Sequence, residues 1–185
     1  MAEPSAARRL RLGTVGWQRD SWLQDYFPDD LPEDWRLSYF ANDCDCVLVQ
    51  ADAWRDGPGE ELAAQLPETP PTFRCFLQLP AHLSPAGKGL LDLFDAQRTI
   101  LLVEHIDADF DRLAQWQAVG PDRWRDPASG DELVRWSPAD TDLRAMRRLA
   151  EQLDAAARAV VLDGPLASPA GIPELRTLLE LLGRA

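Results

Sequence analysis

Lysine is almost missing from this 185-residue chain: of its 19 basic residues only Lys88 is a lysine, and its two histidines are His82 and His105. Against those 19 stand 31 acidic residues, so the formal net charge is −12. Such a surface repels phosphate backbones and anionic lipid, which argues against nucleic-acid and membrane partners. No apolar run approaches the roughly 18 residues of a membrane span. Residues 1–13 also lack the apolar stretch of a secretory leader. We therefore expect a soluble, cytoplasmic protein.

Cysteine is scarce as well. Cys44, Cys46 and Cys75 are too few to pair completely, which fits a reducing compartment. On a strand Cys44 and Cys46 would face one side, and with His82 and His105 they offer four ligand types. The spacing is wrong for a structural zinc site, which uses CxxC-like pairs. Cys46 and Cys75 sit in apolar runs, so buried thiols are expected, with no metal and no cofactor. A P-loop, a G-x-S-x-G elbow and an H-E-x-x-H helix are all absent. Neither histidine lies in a recognisable triad setting.

What remains is an ordinary globular composition, 45% apolar and 27% charged, on a length that suits one domain with a real core. Residues 1–9 read as a flexible tail and 10–185 as a single domain. Strands are expected at Leu10–Leu12, 46–50, 73–79, 99–104 and 159–163. The near-continuous apolar character of Cys46–Gln50 marks a strand covered on both faces, as in a parallel sheet. Helices are expected over 33–43, 60–66, 86–96, 108–119 and 172–182, with Ser84-Pro85 as cap and first residue of the third. Ser137-Pro138-x-Asp140 resembles a capping box that opens a further helix bearing Leu143, Met146, Leu149 and Leu153. Between Trp124 and Trp136, DPASGDE has the turn chemistry of a hairpin loop.

Strands alternating with helices argue for an α/β protein with a mainly parallel sheet. A full (β/α) barrel takes about 250 residues and rarely fewer than about 200. The expected class is therefore a reduced or incomplete TIM-like (β/α) barrel, or an open sheet. Exposed strand edges in such a sheet would favour a homodimer that covers them.

Residues 12–54 resemble the opening of the YecE-like family, domain of unknown function 72. The resemblance rests on Gly13-Thr14-Val15-Gly16-Trp17, then Trp22, Tyr26-Phe27-Pro28 and Leu31-Pro32, then Leu37-Ser38-Tyr39-Phe40-Ala41. TFRCFLQLP (72–80) is similar to the family's third strand, and LLVEH (101–105) more loosely to a later one. The resemblance implies a TIM-like barrel whose activity is not established. It also exposes departures: Leu48 stands where the family has an acidic residue, Gln50 where it has Asn, and Gln78 where it has Lys. If the family acts through those positions, this member has lost the chemistry.

Ligands of parallel α/β folds meet the C-terminal ends of strands. Those ends offer Glu104, His105 and Asp163 as acid–base groups, and Arg135 as an anion clamp. Thr14, Trp17, Gln50, Asp52 and Gln78 complete the candidate substrate-binding set. Polar strand ends without any function are the plainer reading. The aromatic cluster Trp17, Trp22, Tyr26, Phe27, Trp35 and Tyr39 suits a stacking platform, yet loop pinning by large apolar anchors is favoured. The loop 164–172 could present backbone N–H groups to a phosphate, although it holds no Lys or Arg. Two functions follow: a barrel that binds or acts on a small polar, carbohydrate-like molecule, or an inactive interaction scaffold that self-associates.

Overall fold

A computed structural model describes residues 9–55, 58–138 and 142–184. Eight strands form a closed barrel in chain order. They are β1 Arg11–Val15, β2 Cys46–Val49, β3 Arg74–Gln78, β4 Thr99–Val103, β5 Ala114–Gly120, β6 Arg123–Arg125, β7 Glu132–Trp136 and β8 Ala157–Leu162. β6 is antiparallel to both its neighbours, and all other pairs, including β8 with β1, are parallel. The sheet is therefore neither open nor incomplete. Closure also leaves no unpaired edge, so the edge-covering dimer has no basis in the sheet.

The reduction lies in the helices. α1 Trp22–Asp25 and α2 Arg36–Asp43 follow β1; α3 Ala51–Trp54 and α4 Pro58–Gln65 follow β2; α5 Pro85–Leu91 follows β3. α6 Leu143–Glu151 joins β7 to β8, and α7 Ile172–Leu181 follows β8. Only a short 3₁₀ turn, Ala108–Phe110, separates β4 from β5, and no helix separates β5, β6 and β7. A two-residue turn and a hairpin thus do the work of helical crossovers.

Strand period divides the core in two. Val15, Leu48, Phe76, Leu102, Trp116 and Trp124 point inward and fill the lumen. Val47, Leu77, Leu101 and Val160 point outward, where they pack with Phe40, Leu62 and Leu175 of the helices. Where helices are missing, the outer face of the sheet turns polar: Gln115, Gln117, Arg123 and Arg125. There the carboxylate of Glu132, only 2% exposed, accepts from Arg123 Nη1 at 3.0 Å and Arg125 Nε at 2.8 Å.

Several expectations need correction. Residues 108–119 are not a helix but the 3₁₀ turn and most of β5. Cys44 and Cys46 do not share a face, because Cys44 precedes β2 and packs under the helices while Cys46 faces the lumen. All three cysteines are buried and free. The third helix is shorter than expected, but Ser84 does cap it, accepting from Gly87 N–H at 3.1 Å. Residues 1–8 of the expected tail lie outside the described residues, as does Asp140 of the expected capping box. The cap seen at α6 is Asp142, which accepts from Ala145 N–H at 2.6 Å.

Candidate functional site

The barrel mouth at the C-terminal strand ends is organised by a turn and a chain of charges. After β1 the backbone turns at Gly16, whose φ of +74° suits glycine. Gly16 N–H donates to Leu48 O at 2.8 Å, and the buried Thr14 hydroxyl donates to Gly16 O at 2.7 Å. Thr14 thus shapes the turn and is not open to a ligand. Trp17 beyond it is buried, and its Nε1 has no hydrogen-bond partner among the described residues.

Four charged side chains then cross the mouth in sequence. Arg135 Nε donates to Asp122 Oδ1 at 2.7 Å, and its Nη1 lies 3.9 Å from Asp163 Oδ2. The other oxygen of Asp163 accepts from Arg19 Nη2 at 3.2 Å and from Gly164 N–H at 2.7 Å. Arg19 also donates to the carbonyls of Gly164 at 2.6 Å and Val15 at 2.8 Å. Its guanidinium lies 5.0 Å from the Trp22 ring, and that of Arg135 lies 5.8 Å from the Trp124 ring. Arg135 and Asp163 keep 21% and 24% of their side chains exposed, enough to meet a ligand.

Other candidates fall elsewhere. Gln78 pairs with the lumen residue Leu102, so it shares the inward face of the sheet. Glu104 and His105 are exposed and line a cleft of about 220 Å³ with Leu79, Pro80 and Asp107. Gln50 and Asp52 lie exposed at the start of α3, where Asp52 pairs with Arg55 at 3.3 Å. Among the described residues of the expected set, Arg135 and Asp163 are the two in ion-pair contact with each other. The loop 164–172 is held by Trp22, whose Nε1 donates to Ala167 O at 3.0 Å. Trp22 and Phe27 are buried anchors, whereas Trp35 is 63% exposed.

Arg19 and Asp122 went unnoticed because they lie in loops. Asp122 sits in the β5–β6 turn, and its place at the mouth follows from the reversal of β6. The one available signal was alternation: AQWQA (114–118) reads apolar or small residues on one face and polar ones on the other.

The family model for a protein of unknown function, DUF72, matches residues 11–183. The chain belongs to this family. A solved DUF72 family protein from Thermotoga maritima MSB8 superposes with a TM-score of 0.58 at 13% identity, over 95% of this chain and 99% of the other. That likeness shows a shared fold. No curated protein matches the chain. In this DUF72 barrel Leu48 is fully buried in the lumen beside Val15 and Phe76, so the position carries packing and no charge. No helix among the described residues is long and apolar enough to cross a membrane.

Proposed function

We propose that this DUF72 chain is a TIM-like barrel that binds a small polar, carbohydrate-like molecule at its C-terminal mouth. The Arg135–Asp163 pair carries the reading. Its 3.9 Å separation is beyond hydrogen-bond distance, yet one ligand hydroxyl above the pair can donate to Asp163 Oδ2 and accept from Arg135 Nη1. A hydroxyl is the group that answers a donor and an acceptor held side by side, and a polyol offers several. Gln78 adds an amide from the inward face of β3, and the exposed Glu104 and His105 add polar groups on the β3–β4 side.

Binding is better supported than catalysis. Asp163 Oδ1 already accepts from Arg19 and from the Gly164 N–H, so that oxygen is engaged in holding the mouth together. The apolar lumen at Leu48 favours the second reading, a scaffold that has lost its chemistry and works through protein contacts.

A thermal-shift panel of unphosphorylated sugars and polyols tests the first reading. A ligand at 100 times its Kd adds about 2.7 kcal/mol, a shift of several degrees in a domain of this size. The expected hit disappears in Asp163→Asn and Arg135→Gln. A flat panel would transfer the weight to the scaffold.

A further inference from the structure

The opposite end of the barrel holds positive charge that nothing at the mouth uses. Arg11 begins β1 on the same face as Gly13 and Val15, and Arg74 begins β3 on the same face as Phe76. The register sets Gly13 beside Cys46 and Cys46 beside Arg74. Both arginines therefore stand on the inward face at the floor of the lumen, with only β2 between their strands.

Neither has a carboxylate partner among the described residues. Arg74 Nη1 donates to the carbonyls of Pro71 at 3.0 Å and Phe73 at 2.9 Å, which leaves Nε and Nη2 available. Arg11 makes no side-chain hydrogen bond or ion pair among the described residues. The nearby carboxylate, Asp45, is already taken: Arg176 Nη1 donates to it at 2.8 Å, Leu12 N–H at 3.1 Å, and Arg9 Nη2 lies 3.8 Å away. Burial first, then the neighbouring charges of Arg11 and Arg98, pull the Arg74 guanidinium below its ordinary range, with Asp95 opposing. A cavity of about 330 Å³ opens here, lined by Arg9, Arg11, Asp45 and Thr72.

Two arginines without a carboxylate partner at one end of the lumen, Arg11 lining the cavity and Arg74 near enough to feel its charge, are unexpected in a chain of net charge −12, whose overall field disfavours anions. Guanidinium forks match phosphate oxygens in geometry and hold them with charge-assisted hydrogen bonds. The cavity also reaches the lower end of small-molecule sites, about 300 Å³, which is more room than inorganic phosphate needs.

We propose that the N-terminal face of this barrel is a second binding site, which takes a phosphate-bearing small molecule and holds its phosphoryl group between Arg11 and Arg74. Arg9 and Thr72 line the space for the remainder of the ligand.

Calorimetric titration of the full chain with inorganic phosphate and with glucose 6-phosphate tests this, using glucose and chloride at matched ionic strength as controls. Saturable binding of the phosphorylated probes is expected, and any binding of glucose, which belongs to the mouth, should be unaltered in Arg11→Gln. Arg11→Gln should weaken it at least about tenfold, the scale of one lost charged hydrogen-bond pair. Arg74→Gln should do the same, and Arg147→Gln, an exposed residue of α6 outside both sites, should leave it unchanged. Tighter binding of the ester than of phosphate would show that the cavity holds the rest of the molecule; equal binding would make inorganic phosphate the ligand. If Arg74→Gln fails to fold, Arg11→Gln decides, since Arg11 supports no other residue. Absence of saturable binding, or binding unaltered in Arg11→Gln, overturns the proposal, and neither result bears on the sugar reading of the mouth.

Discussion

A Cβ atom on Gly13 would stand 1.8 Å from the carbonyl oxygen of Cys46, its register partner on the next strand. Backbone meets backbone at this point, so no side-chain rotation can relieve the clash. β1 and β2 approach so closely because Gly13 leaves the lumen floor without a side chain.

Gly13→Ala should therefore cost about 3 kcal/mol, the upper range for overpacking a core. Gly16→Ala makes the useful contrast. Nothing lies within 4 Å of a Cβ there, and only the φ of +74° is strained. Its cost should be about 1–2 kcal/mol, that of a left-handed non-glycine residue. Urea denaturation of both variants reads the difference. A Gly13→Ala barrel as stable as the parent would mean that β1 and β2 part without penalty, against the register described.

Arg19 fastens the first loop to the last strand. One guanidinium reaches the carbonyls of Val15 and Gly164 and the carboxylate of Asp163, residues up to 145 positions away in the chain. Arg19→Ala should destabilise by about 1.5–3 kcal/mol, the range for hydrogen bonds to a charged group. Arg19→Lys should recover less than half, because an ammonium cannot reproduce the planar fork. Hydrogen exchange at the Gly164 amide, which donates to the same carboxylate, should quicken in both variants. An unchanged Gly164 rate would show that Asp163 is positioned without Arg19.

Strands buried on both faces were legible because their apolar runs are continuous: Cys46–Val49 and Thr99–Val103 could hardly be read otherwise. β5 was not legible as a strand. Phe110, Leu113 and Trp116 happen to fall at helical spacing, yet the turn at Ala108–Phe110 breaks the period and Trp116 points into the lumen beside Phe76, ring centroids 5.4 Å apart. The missing helix over β5 and β6 gives Gln115 and Gln117 a polar outer face, so alternation was the correct signal. At the mouth, Arg135 and Asp163 could be named as strand ends. Their partners Asp122 and Arg19 could not, since closure of the barrel and the reversal of β6 bring them there.

The thiols supply a prediction with a definite sign. Burial pushes the Cys75 thiol well above its ordinary range with no help from charges. Burial does the same at Cys46, where Asp45 reinforces it, and at Cys44, where Cys46 does. Burial and the hydrogen bond to Asp43 raise Tyr26 likewise. Each group thus stays protonated in the folded chain at a pH where its unfolded counterpart ionises, about 8.5 for Cys and about 10 for Tyr. Their contribution is complete below those values. As pH climbs past about 8.5 the unfolded chain releases protons that the folded chain keeps, and stability falls by up to about 1.4 kcal/mol per pH unit for each fully titrating group. Urea midpoints from pH 7 to pH 10.5 should decline accordingly, less steeply in Cys75→Ala, whatever that variant's fixed packing cost. A thiol reagent at pH 8 should label the native chain only at the rate of unfolding and should find all three cysteines in urea. Prompt labelling in native buffer would place at least one thiol within reach of solvent and remove its share of the pH effect.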